Sequence, residues 1–439
     1  MGIIVDKFGG SSLADANQFR KVKAILFANP DRHFVVPSAP GKRDSDDIKV
    51  TDMLYSCFNL VNAGKTSLFE ETYALLRNRY LEIIDDLQMN LDFSEALDKV
   101  HDDILGGASV DYAASRGEFL NGIILAAFLG WEFIDAAEVI FFDEDGKFDE
   151  EKTQKVLSER LEKAEYAVIP GFYGSNPDRT VRTFSRGGSD MTGAIVSRAA
   201  AAELYENWTD VSGVLMADPR IVKRPKHISV ITYRELRELS YMGFSVLHED
   251  AIFPVRMAGI PINIRNTNAP DDPGTMIVRA DASHVRGAIT GIAGMKGFTA
   301  IAIEKNRMNK EVGFGMRVLS ALSECGVPVE HLPTGIDTMT VVVSDSNIAG
   351  SIDTVVEKIR TTCRPDHIEV ITGLSLIATV GRGMVRYPGT AAKIFGALAD
   401  AGINIRMIDQ GSSELNIITG VETVDFERAI NAIYNAFNK

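Results

Sequence analysis

The chain has 439 residues, 45% of them hydrophobic and 24% charged, with a formal net charge of −14. That length exceeds one ordinary core and predicts two or three domains, while the acidity argues against nucleic acid or an anionic membrane as partner. Cys57, Cys325 and Cys363 are far apart with no CxxC pair, which argues against a disulfide framework or a zinc site and fits a reducing, cytoplasmic compartment.

No run approaches the roughly 18 apolar residues that span a bilayer. The first predicted strand, at 3–5, is ended by Asp6 and Lys7 and is too brief for a signal peptide. It leads into Lys7-Phe8-Gly9-Gly10-Ser11-Ser12. Phe19, Val22, Ile25 and Leu26 then predict an amphipathic helix, and Tyr73, Leu76, Tyr80, Ile83, Ile84 and Leu87 predict another. Further strands are predicted at 34–36, 133–134, 167–169, 204–208 and 262–264. Strands alternating with helices imply α/β architecture, a mostly parallel sheet between helix layers, with ligands beyond the carboxyl ends of the strands. A second loop, Ser185-Arg186-Gly187-Gly188-Ser189-Asp190, precedes an Ala-rich helix and is placed at those same ends. Glycines let backbone N–H groups approach an anion, and a helix N-terminus favours negative charge. Two such loops, carrying Lys7 and Arg186, predict a polyanion site. The turn-rich segment 266–274 closes this domain, followed by one strand at 276–278.

Beyond about residue 284 the units become smaller and repeat. Val318-Leu319-Ser320-Ala321-Leu322 with Cys325-Gly326-Val327 resembles Ile394-Phe395-Gly396-Ala397-Leu398 with Ala401-Gly402-Ile403, at an offset of 402 − 326 = 76 that also pairs Gly335 with Gly411. Each copy reads as helix, Gly stop, strand, Gly turn, strand, and predicts paired α+β modules. The alternative is two unrelated hairpins of common spacing.

The first domain gathers polar groups at Lys7 to Ser12, Ser38 with Thr51-Asp52, Ser115-Arg116-Gly117-Glu118, Gly171-Phe172, Ser185 to Asp190 and Trp208-Thr209-Asp210. Singly, each reads as an ordinary strand-end or surface residue. There is no P-loop, no G-x-G-x-x-G fingerprint, no Ser-His-Asp set and no histidine cluster; His248 reads as a packing or capping residue. Cations and glycines without a base or nucleophile suit phosphoryl transfer, which depends mainly on positioning and charge neutralisation.

Lys-Phe-Gly-Gly-Ser-Ser at 7–12, Arg-Gly-Gly-Ser-Asp at 186–190, Trp-Thr-Asp-Val-x-Gly at 208–213 and Asp218-Pro219-Arg220 resemble the aspartate kinase family over essentially the whole chain. The resemblance implies an amino-acid-kinase three-layer sandwich at 1–283. It also implies a first ferredoxin-like ACT domain at 298–368, inserted into a second one built from 284–297 and 369–439. The activity implied is transfer of the γ-phosphoryl of MgATP to the β-carboxylate of L-aspartate, a first step toward lysine, threonine and methionine. By the same resemblance Lys7, Gly9, Gly10 and Asp190 are catalytic. Ser38, Thr51, Glu118, Phe172, Arg186 and Ser189 bind aspartate, with Arg186 on a carboxylate and Glu118 on the α-ammonium. Lys7, Ser11, Thr209, Asp210 and Arg220 hold the nucleotide. Met308, Gly313, Phe314, Glu330 and Thr334 match the effector segment, where the acidic Glu330 favours lysine over threonine. ATP and Mg2+ are the implied cofactors, and a homodimer or homotetramer through the ACT domains the implied assembly.

Three positions depart from the family pattern. Leu215 replaces a tyrosine, Ser245 replaces a phosphate-contacting lysine, and the loop from Lys42 to Asp47 is long and charged; Lys42, Lys223 and Lys226 are the candidates to compensate. Two other readings remain at this stage: an acid kinase of the same fold acting on glutamate, and a catalytically silent amino-acid sensor.

Overall fold

The computed structural model describes residues 2–438 apart from Arg186, Ser245, Val246, His248, Glu249 and 281–286. The chain divides into two compact units, Met1–Val214 with Ser229–Tyr233 and Val246–Ser283, and Leu215–Ile228 with Arg234–Ser245 and His284–Lys439. Among the described residues no helix is long and apolar enough to cross a membrane.

The first unit is built on β1 (Ile4–Phe8), β2 (Arg32–Pro37), β3 (Glu132–Phe133), β4 (Ala167–Val168), β5 (Leu204–Thr209), β6 (Val230–Thr232), β7 (Ile262–Asn266) and β8 (Thr275–Val278). Their spatial order is β6-β8-β7-β5-β1-β2-β4-β3, and every neighbouring pair is parallel except β7 with β8. Alternation along β1 assigns the layers. Phe8 faces a core shared by α1 (Ala16–Phe27), α2 (Val50–Asn62), α3 (Thr66–Asp86), α4 (Ser94–Leu105) and α5 (Val110–Leu129). Val5 faces the opposite layer, where Phe34 and Val36 pack with Leu157 of α6 (Glu150–Leu161) and Ile195 of α7 (Gly188–Ala199). Both predicted helical stripes are buried in the first of these cores.

All six predicted strands of this sheet are present, but two details differ from expectation. Asp6 and Lys7 do not end β1; they lie buried within it. Each has found a partner, Trp208 Nε1 donating to Asp6 at 2.9 Å and Lys7 pairing with Asp190. Further, the second Gly-Gly loop follows a small antiparallel hairpin, Tyr173–Ser175 with Val181–Thr183, and not a strand of the main sheet. Three-residue strands are too short to carry a hydrophobic period.

The second unit holds an antiparallel sheet of β9 (Gly291–Glu304), β10 (Thr338–Ser344), β11 (His367–Val380), β12 (Met407–Asp409) and β13 (Asn416–Glu422), in the order β10-β9-β11-β13-β12. The two long strands serve two halves. Residues 298–304 of β9 pair with β10, and residues 374–380 of β11 pair with β13, the register of β9 against β11 shifting near Gly297. α8 (Phe314–Glu324) and α9 (Ile352–Cys363) cover one half; α10 (Thr390–Asp400) and α11 (Phe426–Phe437) cover the other. The 76-residue repeat is visible in the backbone: Gly313 and Gly389 precede α8 and α10 at φ 80° and 87°, while Gly326 and Gly402 follow them at φ 68° and 67°. The strand expected after Gly326 is reduced to the bridges of His331 with Val342 and Thr334 with Met339, whereas the second copy forms β12.

A Cβ on Gly326 or Gly402 would meet no atom within 4 Å, so only backbone conformation resists substitution there. Gly326→Ala and Gly402→Ala are each expected to lower stability by about 1 kcal/mol, with Asn costing less. Denaturant unfolding of the two variants checks this; unequal costs would break the equivalence of the copies.

Candidate active site

The site forms where β1, β2 and α7 meet. Lys7 leaves β1 on the α7 side, and its ammonium lies 2.7 Å from Asp190 Oδ1 in the first turn of α7. Asn207, the register partner of Lys7 on β5, donates to the same carboxylate at 2.8 Å. A cleft of about 260 Å³ opens beside this pair, lined by Lys7, Ser38, Thr51, Glu118, Phe172, Gly187, Gly188, Ser189 and Asp190. Of the predicted catalytic and aspartate-binding residues, it gathers Lys7, Ser38, Thr51, Glu118, Phe172, Ser189 and Asp190. Arg186 lies outside the described residues, as do Ser245 and His248.

Glu118, on α5, is the cleft's unusual acid. Burial pushes its carboxyl up to about 8, against the pull of the N–H groups of Ala39 and Glu118 and of the charges on Lys7 and Arg116. Its Oε2 is buried without a hydrogen-bond partner. A buried acceptor left unsatisfied at a cleft wall is poised to receive a cationic donor.

Backbone geometry brings these groups together. Phe172 adopts φ 81°, the left-handed region that side chains rarely occupy, while its N–H donates to Thr192 Oγ1 at 3.0 Å. Such strain concentrates at functional sites. Gly188 sits so close that a Cβ there would lie 2.3 Å from the Phe172 ring. At the carboxyl end of β1 a 3-10 turn, Gly10–Leu13, follows, and Gly9 N–H donates to Trp208 O at 3.0 Å. Ser12 Oγ lies 2.7 Å from Thr267 Oγ1, and Thr267 N–H donates to Thr209 O at 2.9 Å. Gly9, Gly10 and Ser11 are thereby tied to the strand end that carries Thr209 and Asp210. Arg220 belongs to the second unit, is exposed, and holds both oxygens of Asp218.

Asn207 and Thr267 were not among the residues singled out in the sequence. Asn207 directly precedes the Trp-Thr-Asp motif, and that adjacency was its one available signal.

In the second unit, Met308 and Phe314 are buried in the core of the first half, and Gly313 caps α8. The Glu330 carboxylate accepts from the Tyr241 hydroxyl, whose pKa is pushed up to about 12 by burial and by that contact. Thr334 Oγ1 donates to Leu332 O at 3.0 Å.

Residues 2–266 match the amino acid kinase family, and residues 377–437 match an ACT domain. Aspartokinase 3 of Bacillus subtilis is 39% identical over 99% of this chain and 98% of its own length. The crystal structure of Clostridium acetobutylicum aspartate kinase, an allosteric enzyme, is 56% identical with a TM-score of 0.91 over the whole of both chains. Escherichia coli aspartokinase III, solved with aspartate and ADP, shares the fold over both whole chains at 23% identity and a TM-score of 0.77. With a family match over more than half its length and full-length relatives at these identities, the chain belongs to the aspartokinases of the amino acid kinase family.

Proposed function

We propose that this aspartate kinase carries the γ-phosphoryl group of MgATP to the β-carboxylate of L-aspartate, giving 4-phospho-L-aspartate, in the cleft between Lys7 and Glu118. The observation that carries this reading is the pairing of opposite demands in one small cavity: a fixed ammonium at one wall and, at another, a buried carboxyl with one oxygen unpartnered. An acidic amino acid presents the complement of both, an ammonium for Glu118 and a side-chain carboxylate to be brought toward Lys7. The nucleophile has a pKa near 4 and is ionised at pH 7, so no general base is needed.

The difficulty is bringing an anion onto an anionic phosphoryl group. Lys7, oriented by Asp190 and Asn207, offsets the charge that gathers in transfer, and the N–H groups of Gly10 and Ser11 offer donors to phosphate oxygens. Thr51 and Ser189 supply hydroxyls along the aspartate path. Among the described residues no three His, Cys, Asp or Glu side chains gather to hold a metal ion. The Mg2+ that accompanies ATP suits such a site, since phosphates, water and one or two carboxylates suffice for it; Asp190 and Asp210 are the carboxylates at hand. The silent-sensor reading is disfavoured because Lys7, Glu118 and Asp190 are all present and assembled. Regulation is assigned to the ACT modules, with lysine as effector because Glu330 offers a carboxylate to a cationic amino acid; the fold relative from Escherichia coli has been solved with lysine and aspartate.

Three outcomes test this. In a coupled ADP-release assay aspartate is expected to be turned over in strong preference to glutamate, and Lys7→Ala to lose about 10²- to 10³-fold in kcat while keeping its circular dichroism; near-normal turnover removes the role given to Lys7. The second concerns pH. With its carboxyl raised to about 8, Glu118 is protonated in the free enzyme at pH 6 to 7, whereas a bound ammonium favours the carboxylate, so binding releases a proton. KM for aspartate is therefore expected to fall as pH rises toward 8 and then level, a trend that Glu118→Gln abolishes. Third, lysine is expected to inhibit the parent enzyme, and Glu330→Ala to blunt that inhibition about tenfold or more. Initial rates unaffected by lysine would reassign the effector.

A further inference from the structure

The turn that faces the phosphates has a backbone contact at its rear. Gly41 N–H donates to Gly10 O at 2.9 Å, and the two chains lie so close that a Cβ on Gly10 would sit 2.9 Å from Ala39 O, and one on Gly41 2.6 Å from the Gly10 carbonyl carbon. Two glycines have no side chains with which to hold such a contact. Arg79 of α3 supplies the hold. It is 3% exposed; its Nη2 donates to Ala14 O and to Gly41 O, each at 2.8 Å, and its Nη1 to Asp47 Oδ2 at 2.7 Å. Ala14 closes the turn after β1 and Gly41 lies in the segment that leaves β2, so one nitrogen ties both. Asp47 neutralises the buried guanidinium and is itself held by the backbone N–H and guanidinium of Arg43. Those donors, with Arg43 beside it, keep the Asp47 carboxyl below its ordinary range although burial opposes them. Neither Arg79 nor Asp47 lines the cleft.

We propose that Arg79 is a positioning residue for phosphoryl transfer, fixing the Gly10 turn against the Gly41 turn so that its N–H groups stay at a constant distance from Lys7. This rests on the reading that the Gly10 turn faces phosphate. The charged loop at Lys42 to Asp47, a departure from the family pattern, is on this view the counter-ion strap of the clasp.

Arg79→Lys tests it in the full-length enzyme, since a lysine retains the charge but lacks the planar fork that spans two carbonyls and a carboxylate. Deuterium exchange over residues 9–13 and at Gly41 is expected to quicken about tenfold or more; unchanged exchange overturns the proposal whatever the substrate. Kinetically, kcat is expected to drop about 10²-fold, the order that an ångström of misplacement produces. KM for aspartate should stay within about threefold, because Glu118, Thr51 and Ser189 are untouched. A kcat within about twofold of the parent, or a loss confined to KM, also overturns it. If Arg79→Lys does not fold, Asp47→Asn is expected to show the same exchange and kcat signature in weaker form, and its absence overturns the proposal. A parent enzyme that fails to turn over aspartate overturns the reading of function alone, while exchange still decides the role of Arg79.

Discussion

The 2.7 Å pair between Lys7 and Asp190 is the constraint on which the rest of the site depends. For the proposed phosphoryl transfer a chain of net charge −14 has to bring two anions together, and this pair keeps a cation at the cleft without leaving it free to wander. Its position follows from strand arithmetic. Lys7 shares the parity of Val5, so the alternation that buries Val5 against α7 also turns the ammonium toward that helix. The parallel register then sets Asn207 beside Lys7, and both converge on Asp190. A slip of one residue would turn both away. A largely buried ion pair is weak evidence for net stability, because the cost of desolvation offsets its Coulombic gain. Its value is electrostatic: a charge already oriented needs no reorganisation when negative charge moves.

The other face of the same strands explains why their ends hold still. Asp6 and Trp208 lie on the face opposite Lys7, where Phe8 stacks on Trp208 with ring centroids 5.8 Å apart. Arg32 and Arg265 share Glu206, which they hold below its ordinary pKa although burial works against them, while burial and the nearby Glu206 push Asp6 up. The cluster binds β1, β2, β5 and β7 to one another. A buried ionic group of this kind is poor evidence for net stability, but removing one partner leaves an uncompensated charge, so the strands are locked in one register. That register is the one that sets Lys7 at the cleft and Gly9 against Trp208.

Much of this was legible in the sequence wherever a pattern is local. Short apolar runs and period-3.6 patterning identified the six strands and the helical stripes, and the Gly-Gly motifs pointed to one site shared by the loops at Lys7 and at 185–190, where Lys7 pairs with Asp190. What escaped was set by pairing across distance. Asn207 acts because of a register with β1, two hundred residues earlier, and Thr267 because a turn brings it to Ser12. Adjacency to a motif could flag Asn207, but neither pairing is encoded in the residue's neighbours. Asp6 and Lys7 looked like strand breakers because charge at a strand end ordinarily seeks water; here each had a buried partner that no window contains. The charged loop at 42–47 stood out only by its length and charge, for the same reason. One local sign did exist. Arg79 falls between Leu76 and Ile83 on the buried stripe of α3, three residues after one and four before the other. A charge on an apolar face is costly unless paired, so its presence there predicts a buried acid and unsatisfied carbonyls opposite. Asp47, Ala14 and Gly41 are those groups. A charged residue inside a hydrophobic stripe is thus the signal to follow from a legible helix to an illegible contact.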